Sequence, residues 1–491
     1  MARLILVSNR VAIPRGAGAQ RAGGLEVALE PILKEVPSVW FGWSGNVVDP
    51  GRVMTQTIER GKTSYVVTDL SEEDYQEYYN GFANRVLWPV LHYRIDLTEF
   101  TRRDLTGYFR VNRHFAGELS KIVQPEDIIW VNDYHLIPIA EELRQRDHAN
   151  RIGFFLHVPF PAPEVMAVLP NHERLLPLLL QYDLVGFQTE TDVGNFVRYL
   201  IAEHHGSSRR VIEATDRQLV FTCGGRQTRI GSFPVGIDTD EFQQLAQRAV
   251  KSAFVRDVVD SLAGRALVIG VDRLDYSKGL IQRMEAFERF YALHPEWQNK
   301  VTYLQIAPKS RSEIPEYSDL EQAVGAAAGR INGKYGEVAW TPIRYLNRAY
   351  SRSGLAGLYR SARAALVTPL RDGMNLVAKE YVAAQDPNDP GVLILSRFAG
   401  AAAECVNALL VNPYDADSVA GAIARALEMP LSERRERHNA NLATLSRNGG
   451  TVWSMGFLQS LAGSQTINAA LAGEFSLAPF SPSKATAAAQ R

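Results

Sequence analysis

The sequence predicts an α/β protein made of two doubly wound domains, each with helices on both faces of a largely parallel sheet. Three observations carry this expectation. At 491 residues the chain is too long for a single core. Short β-branched or aromatic runs alternate with helical stretches, and that series stops and restarts partway along. Polar and charged residues with chemical potential gather just after these runs rather than within them.

The first series reads "RLILVSN", "SVWFGWS", "TSYVVTDL", "DIIWVND", "RIGFFLHV" and "DLVGFQT". After "PVGIDTDEF" it restarts with "RALVIGVDRL", "VTYLQIAP", "AALVTPL", "GVLILSRF" and "ALLVNPYD". The division is expected near residues 236 to 250, giving an N-terminal domain over 1–240 and a C-terminal domain over 241–463, whose last helix has the option of packing back on the first. Residues 464–491 are small, polar and proline-containing with no apolar period, and are expected to form a flexible tail.

Hydrophobic content of 46% with 22% charged residues describes an ordinary globular protein, and no apolar run is long enough to cross a bilayer. A formal charge of -1 argues against a general polyanion binder, so neither nucleic acid nor membrane is expected as a partner. The excess of Arg over Lys fits either phosphate recognition or coding bias. Cys223 and Cys405 are too few and too far apart for a disulfide framework or a zinc site, and both are expected to be buried thiols. "MARLILVSNR" enters a strand pattern at once, without a cleavable apolar leader, so a cytoplasmic location is expected.

In open parallel sheets ligands bind beyond the carboxyl ends of the strands. There "RLILVSN" leads to Arg10 and then to Gly23 and Gly24, whose backbone N–H groups suit an anion. "DIIWV" ends in Asn132, Asp133, Tyr134 and His135, and "RIGFF" in His157 among prolines. "TYLQIAP" leads to Lys309 and Arg311. In "DRLDYSKGL", Arg273 and Lys278 place a guanidinium fork and an ammonium on one turn, a pair suited to a diphosphate; a surface loop bridged to Asp272 and Asp275 is the alternative.

"ALVTPLRDGMNLVAKEYVAAQ" reads as strand, polar turn and helix. Asp372 and the N–H groups of Gly373, Met374 and Asn375 fall where a helix start offers unpaired donors. Glu380 lies in the middle of the apolar face made by Leu376, Val377, Tyr381, Ala383 and Ala384. A carboxylate there requires water or a partner: a ribose diol, or failing that a buried Arg or Lys.

At these residues the sequence resembles the trehalose-6-phosphate synthase family (glycosyltransferase family 20), retaining enzymes with two Rossmann-like domains facing a cleft (GT-B). "WFGWSG", "YYNGFANRVLWPVLHYR", "NDYHL", "FFLHVPFP", "QYDLVGFQTE", "DRLDYSKGL", "AGRINGKYG" and "TPLRDGMNLVAKEYVAAQ" carry the resemblance, which runs from about Arg3 to Trp453. It implies glucosyl transfer from a nucleoside-diphosphate-glucose, UDP-glucose first, to glucose 6-phosphate, giving α,α-trehalose 6-phosphate. It further implies acceptor contacts from Arg10, Tyr79, Trp88, Asp133 and Arg311, and a glycine loop at Gly23 and Gly24 closing over the donor. Arg273 and Lys278 become the diphosphate clamp and Glu380 the ribose acid. Asp372 with the backbone of Gly373, Met374, Asn375 and Leu376 grips the donor sugar, and His157 lies beside the transferred glucose. No motif position departs from the family pattern.

Without the resemblance, Tyr79, Trp88 and His157 would read as core residues, and His135 keeps that reading. The family's front-face scheme lets the leaving phosphate take the acceptor proton, so no carboxylate nucleophile is expected. Nor is a metal or other cofactor: "DTD" at 238–240 and "DAD" at 415–417 mimic an acidic metal triplet but read as helix caps. A homo-oligomer, dimer or tetramer, is expected. The alternatives are a transferase using another phosphorylated acceptor, such as glycerol 3-phosphate, and a non-catalytic sugar-phosphate sensor. A nicotinamide dehydrogenase is disfavoured because no GxGxxG follows a strand. The absence of an Asp-x-Asp-x-Thr segment leaves removal of the product's phosphate to another protein.

Overall fold

The computed structural model describes residues 3–463 apart from 12, 14–28, 30–31, 34–35, 204–210, 216–217 and 310–313. The strands of the first sheet are β1 (Leu4–Arg10), β2 (Ser38–Val48), β3 (Thr55–Arg60), β4 (Thr63–Ser71), β5 (Ile128–Asn132), β6 (Arg151–Phe155), β7 (Leu184–Phe187), β8 (Val211–Thr215), β9 (Gln218–Cys223) and β10 (Arg226–Ser232). They lie in the order β3-β4-β2-β1-β5-β6-β7-β10-β9-β8. Strands β4 to β10 in that order form a parallel centre, whereas β3 pairs antiparallel with β4, and β9 with both β10 and β8. The antiparallel margins are an addition to the expected parallel sheet. Strand β3 is polar and nearly all exposed, so it offers no apolar run to read. The β9–β10 turn is set by Gly224 and Gly225, both with positive φ, as a tight hairpin requires.

The second sheet comprises β11 (Ala266–Val271), β12 (Val301–Ile306), β13 (Ile343–Leu346), β14 (Ala364–Val367), β15 (Val392–Ser396) and β16 (Leu409–Val411), all parallel, in the order β13-β12-β11-β14-β15-β16. Strands β12, β14 and β15 are buried along their whole length, and β11 beyond its first residue, as expected for strands covered by helices on both faces. Separate hydrophobic clusters line the two faces of each sheet.

Each sheet reverses its direction of winding once, at β1/β5 in the first and at β11/β14 in the second. Such switch points open a crevice at the strands' carboxyl ends. Arg10 and Asp133 stand at the first crevice, Arg273 and Asp372 at the second.

The chain crosses between the sheets twice, after Ser232 and again near Asn448. The helix Gly450–Ala462 then packs on the first sheet, with Phe457 stacked on Trp130 at 4.6 Å between ring centroids. Where the crossings meet, a Cβ on Gly236 would lie 1.7 Å from the Asn448 carbonyl oxygen, so only glycine fits. The buried Lys379 ammonium fastens this junction, donating to Val235 O at 2.7 Å and to Glu404, which in turn accepts from Asn448 Nδ2 at 2.8 Å. Among the described residues no helix is long and apolar enough to cross a membrane. Both cysteines are free; Cys405 is buried as expected, but Cys223, at the end of hairpin strand β9, is only partly so.

Candidate active site

The two switch points face one cavity of about 430 Å³, lined from the first half by Asp133, His157, Gln188 and Val235, and from the second by Asp272, Arg273, Lys278, Asp372, Met374, Asn375, Leu376, Val377 and Glu380. Nine of the residues singled out in the sequence therefore share one space. Arg10, Tyr79, Trp88 and Gly373 lie outside this lining, and Gly23, Gly24 and Arg311 lie outside the described residues.

Lys278 owes its place to a tight turn. Asp275 accepts from Ser277 N at 2.9 Å, Ser277 Oγ at 2.8 Å and the Tyr317 hydroxyl at 3.3 Å, and all three side chains are buried. Gly279 follows with φ +66°, and a Cβ there would meet Thr368 O at 2.6 Å. The fully buried Arg283 donates to Lys278 O at 3.1 Å, Asp272 Oδ2 at 2.7 Å and Gln305 Oε1 at 2.9 Å. Asp272 and Asp275 are thus structural members of the turn rather than bridges to Arg273. Burial pushes the Asp272 carboxyl above its usual range, with the Arg283 guanidinium opposing it.

On the neighbouring turn, Asp372 Oδ2 accepts from Lys278 Nζ at 2.6 Å and Asn375 Nδ2 at 3.0 Å. Asn375 adopts φ +75° and its Oδ1 accepts from Ala378 N, capping the helix Leu376–Ala384. That helix carries Glu380 to the cavity wall, where it has no hydrogen-bond or ion-pair partner among the described residues; the buried ion pair belongs to Lys379 instead. Burial raises the Glu380 carboxyl to about 7, the more distant Arg352 guanidinium opposing it.

Across the cavity, Asp133 sits at φ 78°, a strained conformation of the kind that gathers at functional sites. Its Oδ1 accepts from His157 N at 3.3 Å. His157 Nε2 lies 3.0 Å from Asn132 Oδ1. Asn132 Nδ2 faces the carbonyls of Val7 and Trp130, so Oδ1 is the atom turned to the ring and Nε2 carries the proton. This leaves Nδ1 as an acceptor. Burial lowers His157 to about 3, so the ring is neutral at physiological pH.

A path of rings joins the remaining first-half residues. The Arg10 guanidinium lies 5.7 Å above the Trp43 ring, in space kept by Gly45, whose Cβ would stand 2.7 Å from it. Trp43 contacts Tyr79, Tyr79 stacks on His135 at 6.0 Å, and Trp88 packs against Tyr134. His135 is buried among these rings and does not line the cavity, in keeping with its reading as a core residue. The Arg273 guanidinium, from the second half, lies 5.8 Å over Trp88, and a Cβ on Gly373 would fall 2.1 Å from His157 O. The turn carrying Asp372 and Gly373 therefore rests directly on the first half.

Gln188, Arg283 and Lys379 were not singled out in the sequence. Gln188 ends the motif "DLVGFQ" just beyond β7 and accepts from Val235 N at 3.0 Å, so the strand-end rule would have found it. Asp238 and Asp415 each cap a helix by accepting from Glu241 N and Ser418 N. Only His172, Glu173 and Glu203 group ligand atoms closely among the described residues, and none of them lines the cavity.

Two switch-point crevices facing one another, with cations and helix-start amides on one wall, define a GT-B glycosyltransferase. The comparisons specify which: the model of glycosyltransferase family 20 matches residues 9–463, and the chain belongs to that family. It is 51% identical over 471 residues to the trehalose-6-phosphate synthase of Sinorhizobium fredii, covering 94% of this chain and 99% of that one. To that of Enterobacter sp. it is 45% identical over 466 residues, covering 94% and 95%. Among solved structures it resembles the UDP-forming alpha,alpha-trehalose-phosphate synthase of Burkholderia xenovorans in complex with glucose-6-phosphate, with a TM-score of 0.89, 46% identity, and coverage of 94% and 100%. It also resembles the E. coli protein bound with UDP-2-fluoro glucose, with a TM-score of 0.87, 44% identity, and coverage of 94% and 99%.

Proposed function

We propose that this protein transfers glucose from UDP-glucose to the anomeric hydroxyl of glucose 6-phosphate with retention, forming α,α-trehalose 6-phosphate and UDP. One observation carries the reading: Lys278, Asp372 and Glu380 on the second half and Asp133 and His157 on the first line a single cavity. The family relatives crystallised with glucose-6-phosphate and with a UDP-glucose analogue support the same pair of substrates.

In this reading Glu380 accepts the ribose hydroxyls, and Arg273 and Lys278 hold the diphosphate. Transfer passes through an oxocarbenium-like state while negative charge grows on the departing phosphate. Lys278 and Arg273 are strongest where that charge appears, so they lower the barrier rather than only tighten binding. The ammonium of Lys278 then exchanges part of its pairing with Asp372 for the phosphate, freeing Asp372 to bind sugar hydroxyls. His157, protonated at Nε2, offers Nδ1 to a glucose hydroxyl. Asp133, Arg10, Tyr79 and Trp88 hold the acceptor, and the leaving phosphate oxygen takes the acceptor's proton.

Metal-independent transfer is part of the proposal, because the acidic triplets are spent on helix caps and cations already line the donor wall; unchanged turnover in chelator is the expected result. A cytoplasmic location accords with the two free cysteines. Incubation with glucose 6-phosphate or glycerol 3-phosphate and UDP-, ADP- or GDP-glucose, followed by NMR of the product, tests the reading. An α,α-1,1 disaccharide phosphate from glucose 6-phosphate is expected; release of nucleotide only with glycerol 3-phosphate, or with neither acceptor, would refute it.

A further inference from the structure

Beside the cavity, the residue preceding Asp372 joins the two halves. The Arg371 guanidinium lies 4.0 Å over the ring of Tyr93, from the first half, and 4.9 Å over that of Phe398, from the second. Its Nε is buried with no hydrogen-bond partner among the described residues, so the rings hold that part of the cation. The Asp192 carboxylate accepts from Phe160 N at 2.9 Å and from Thr189; burial holds it above its usual range, with the Arg371 charge among the smaller influences opposing that.

Tyr93 is built for this contact. It adopts φ +61°, unusual for a bulky side chain, and its hydroxyl accepts from Ala162 N at 3.1 Å. The next residue, Arg94, is held by Asp96 at 2.9 and 2.7 Å and lies 5.4 Å over Tyr276, two residues before Lys278. The strained loop thus grips the second half at two points. Arg371 also shares the donor-side framework: Leu370 N donates to Ser277 O at 2.8 Å, and Asp372 N to Phe398 O at 3.2 Å.

We propose that Arg371 is a positioning residue for the transfer step, its guanidinium clasped between Tyr93 and Phe398 so that Asp372 and Lys278 are held in register with Asp133 and His157 across the cavity. This rests on the proposed transferase reaction and adds a part to it. Arg371 touches neither sugar; it fixes the distance between the walls that hold them. Arg273, Lys278 and Glu380, which hold the nucleotide in this reading, all lie on the second half, so loss of the clasp separates turnover from nucleotide affinity.

The test is a set of variants, Tyr93→Leu, Arg371→Leu, their double and the conservative Tyr93→Phe, each confirmed folded by near-UV circular dichroism. The readouts are kcat, UDP affinity by calorimetry and the radius of gyration without ligand. Each single leucine variant is expected to lose roughly tenfold in kcat, in line with a desolvated cation–π contact, with UDP affinity changed less than about twofold. The double variant is expected to be no worse than the poorer single, Tyr93→Phe to recover most of the loss, and the leucine variants to be larger in solution. Should a leucine variant not fold, Arg371→Lys replaces it, keeping charge without the planar stack and losing kcat likewise. Wild-type turnover in folded variants, losses that multiply in the double, or UDP affinity falling in step with kcat would overturn the proposal. A wild-type protein without transferase activity refutes the reaction instead, and the radius of gyration still decides the clasp.

Discussion

Glu380 provides a sharp pH prediction. Its carboxyl stands at about 7 against an ordinary value of 4.5, because the helix Leu376–Ala384 carries it into a wall with no cationic partner in contact. A ribose diol donates hydrogen bonds, so the ionised form is the one that binds the donor. With a value near 7, roughly a tenth of the protein is ionised at pH 6 and nine-tenths at pH 8. UDP-glucose should therefore bind about tenfold more weakly at pH 6, or about 1.4 kcal/mol. Calorimetry with UDP-glucose alone reads this, since the diester-like diphosphate does not titrate there, and at pH 6.5 binding should release a proton, seen as a dependence on buffer ionisation heat. Glu380→Gln should bind more weakly by about 1.5–3 kcal/mol at pH 8 and show no such pH dependence. The raised value also means that the folded protein holds this proton more tightly than the unfolded chain. That stabilisation is complete below 4.5 and lost as pH rises through about 7, so the glutamine variant should gain stability relative to wild type between pH 5 and pH 8. Equal pH profiles for the two proteins would refute the assignment of Glu380 to the ribose.

In the proposed reaction Lys278→Ala removes a cation at the leaving group and should raise the barrier by about 3–4 kcal/mol, seen as a fall in kcat of two to three orders of magnitude; normal turnover would refute its role. Gly373→Ala places a methyl group 2.1 Å from His157 O and must push the donor turn off the first half, so a large loss of kcat is expected in a folded protein, and an active variant would contradict the contact. Lys379→Met strands the buried Glu404 carboxylate at the crossing point, which should cost about 3–5 kcal/mol in denaturant titration. Little change there would show that the junction does not depend on the pair. Burial lowers His157 to about 3, so its ring stays neutral between pH 5 and 9 and adds no ionisation to the pH dependence of turnover there; an ionisation in that range that disappears in His157→Asn would contradict the neutral ring.

The parallel strands were legible because they are buried on both faces and therefore spell continuous apolar runs, as in "ALVIGV" and "VTYLQI". Strand β3, "TQTIER", was not, since it is an exposed margin stabilised by pairing with β4 rather than by burial. The donor-side candidates were legible for a related reason. Strand ends at switch points are where an open sheet places ligands, and Arg273, Lys278 and Asp372 follow such ends directly. Arg283 and Lys379 carried no comparable signal. Each is one charge among others on its helix, and what makes it matter is a partner 11 to 144 positions away, Asp272 for Arg283 and Val235 for Lys379. Arg371 was passed over beside Asp372 because its partners, Tyr93 and Phe398, come together only when the two halves meet.

The claim beneath all of this is that donor and acceptor meet where the two switch points face each other. A crystal structure of the protein with UDP and glucose 6-phosphate bound tests it most directly. The diphosphate is expected against Arg273 and Lys278, the ribose hydroxyls on Glu380, and the hexose phosphate on the Arg10 side of the same cavity. A nucleotide bound anywhere else on the second sheet would contradict the account.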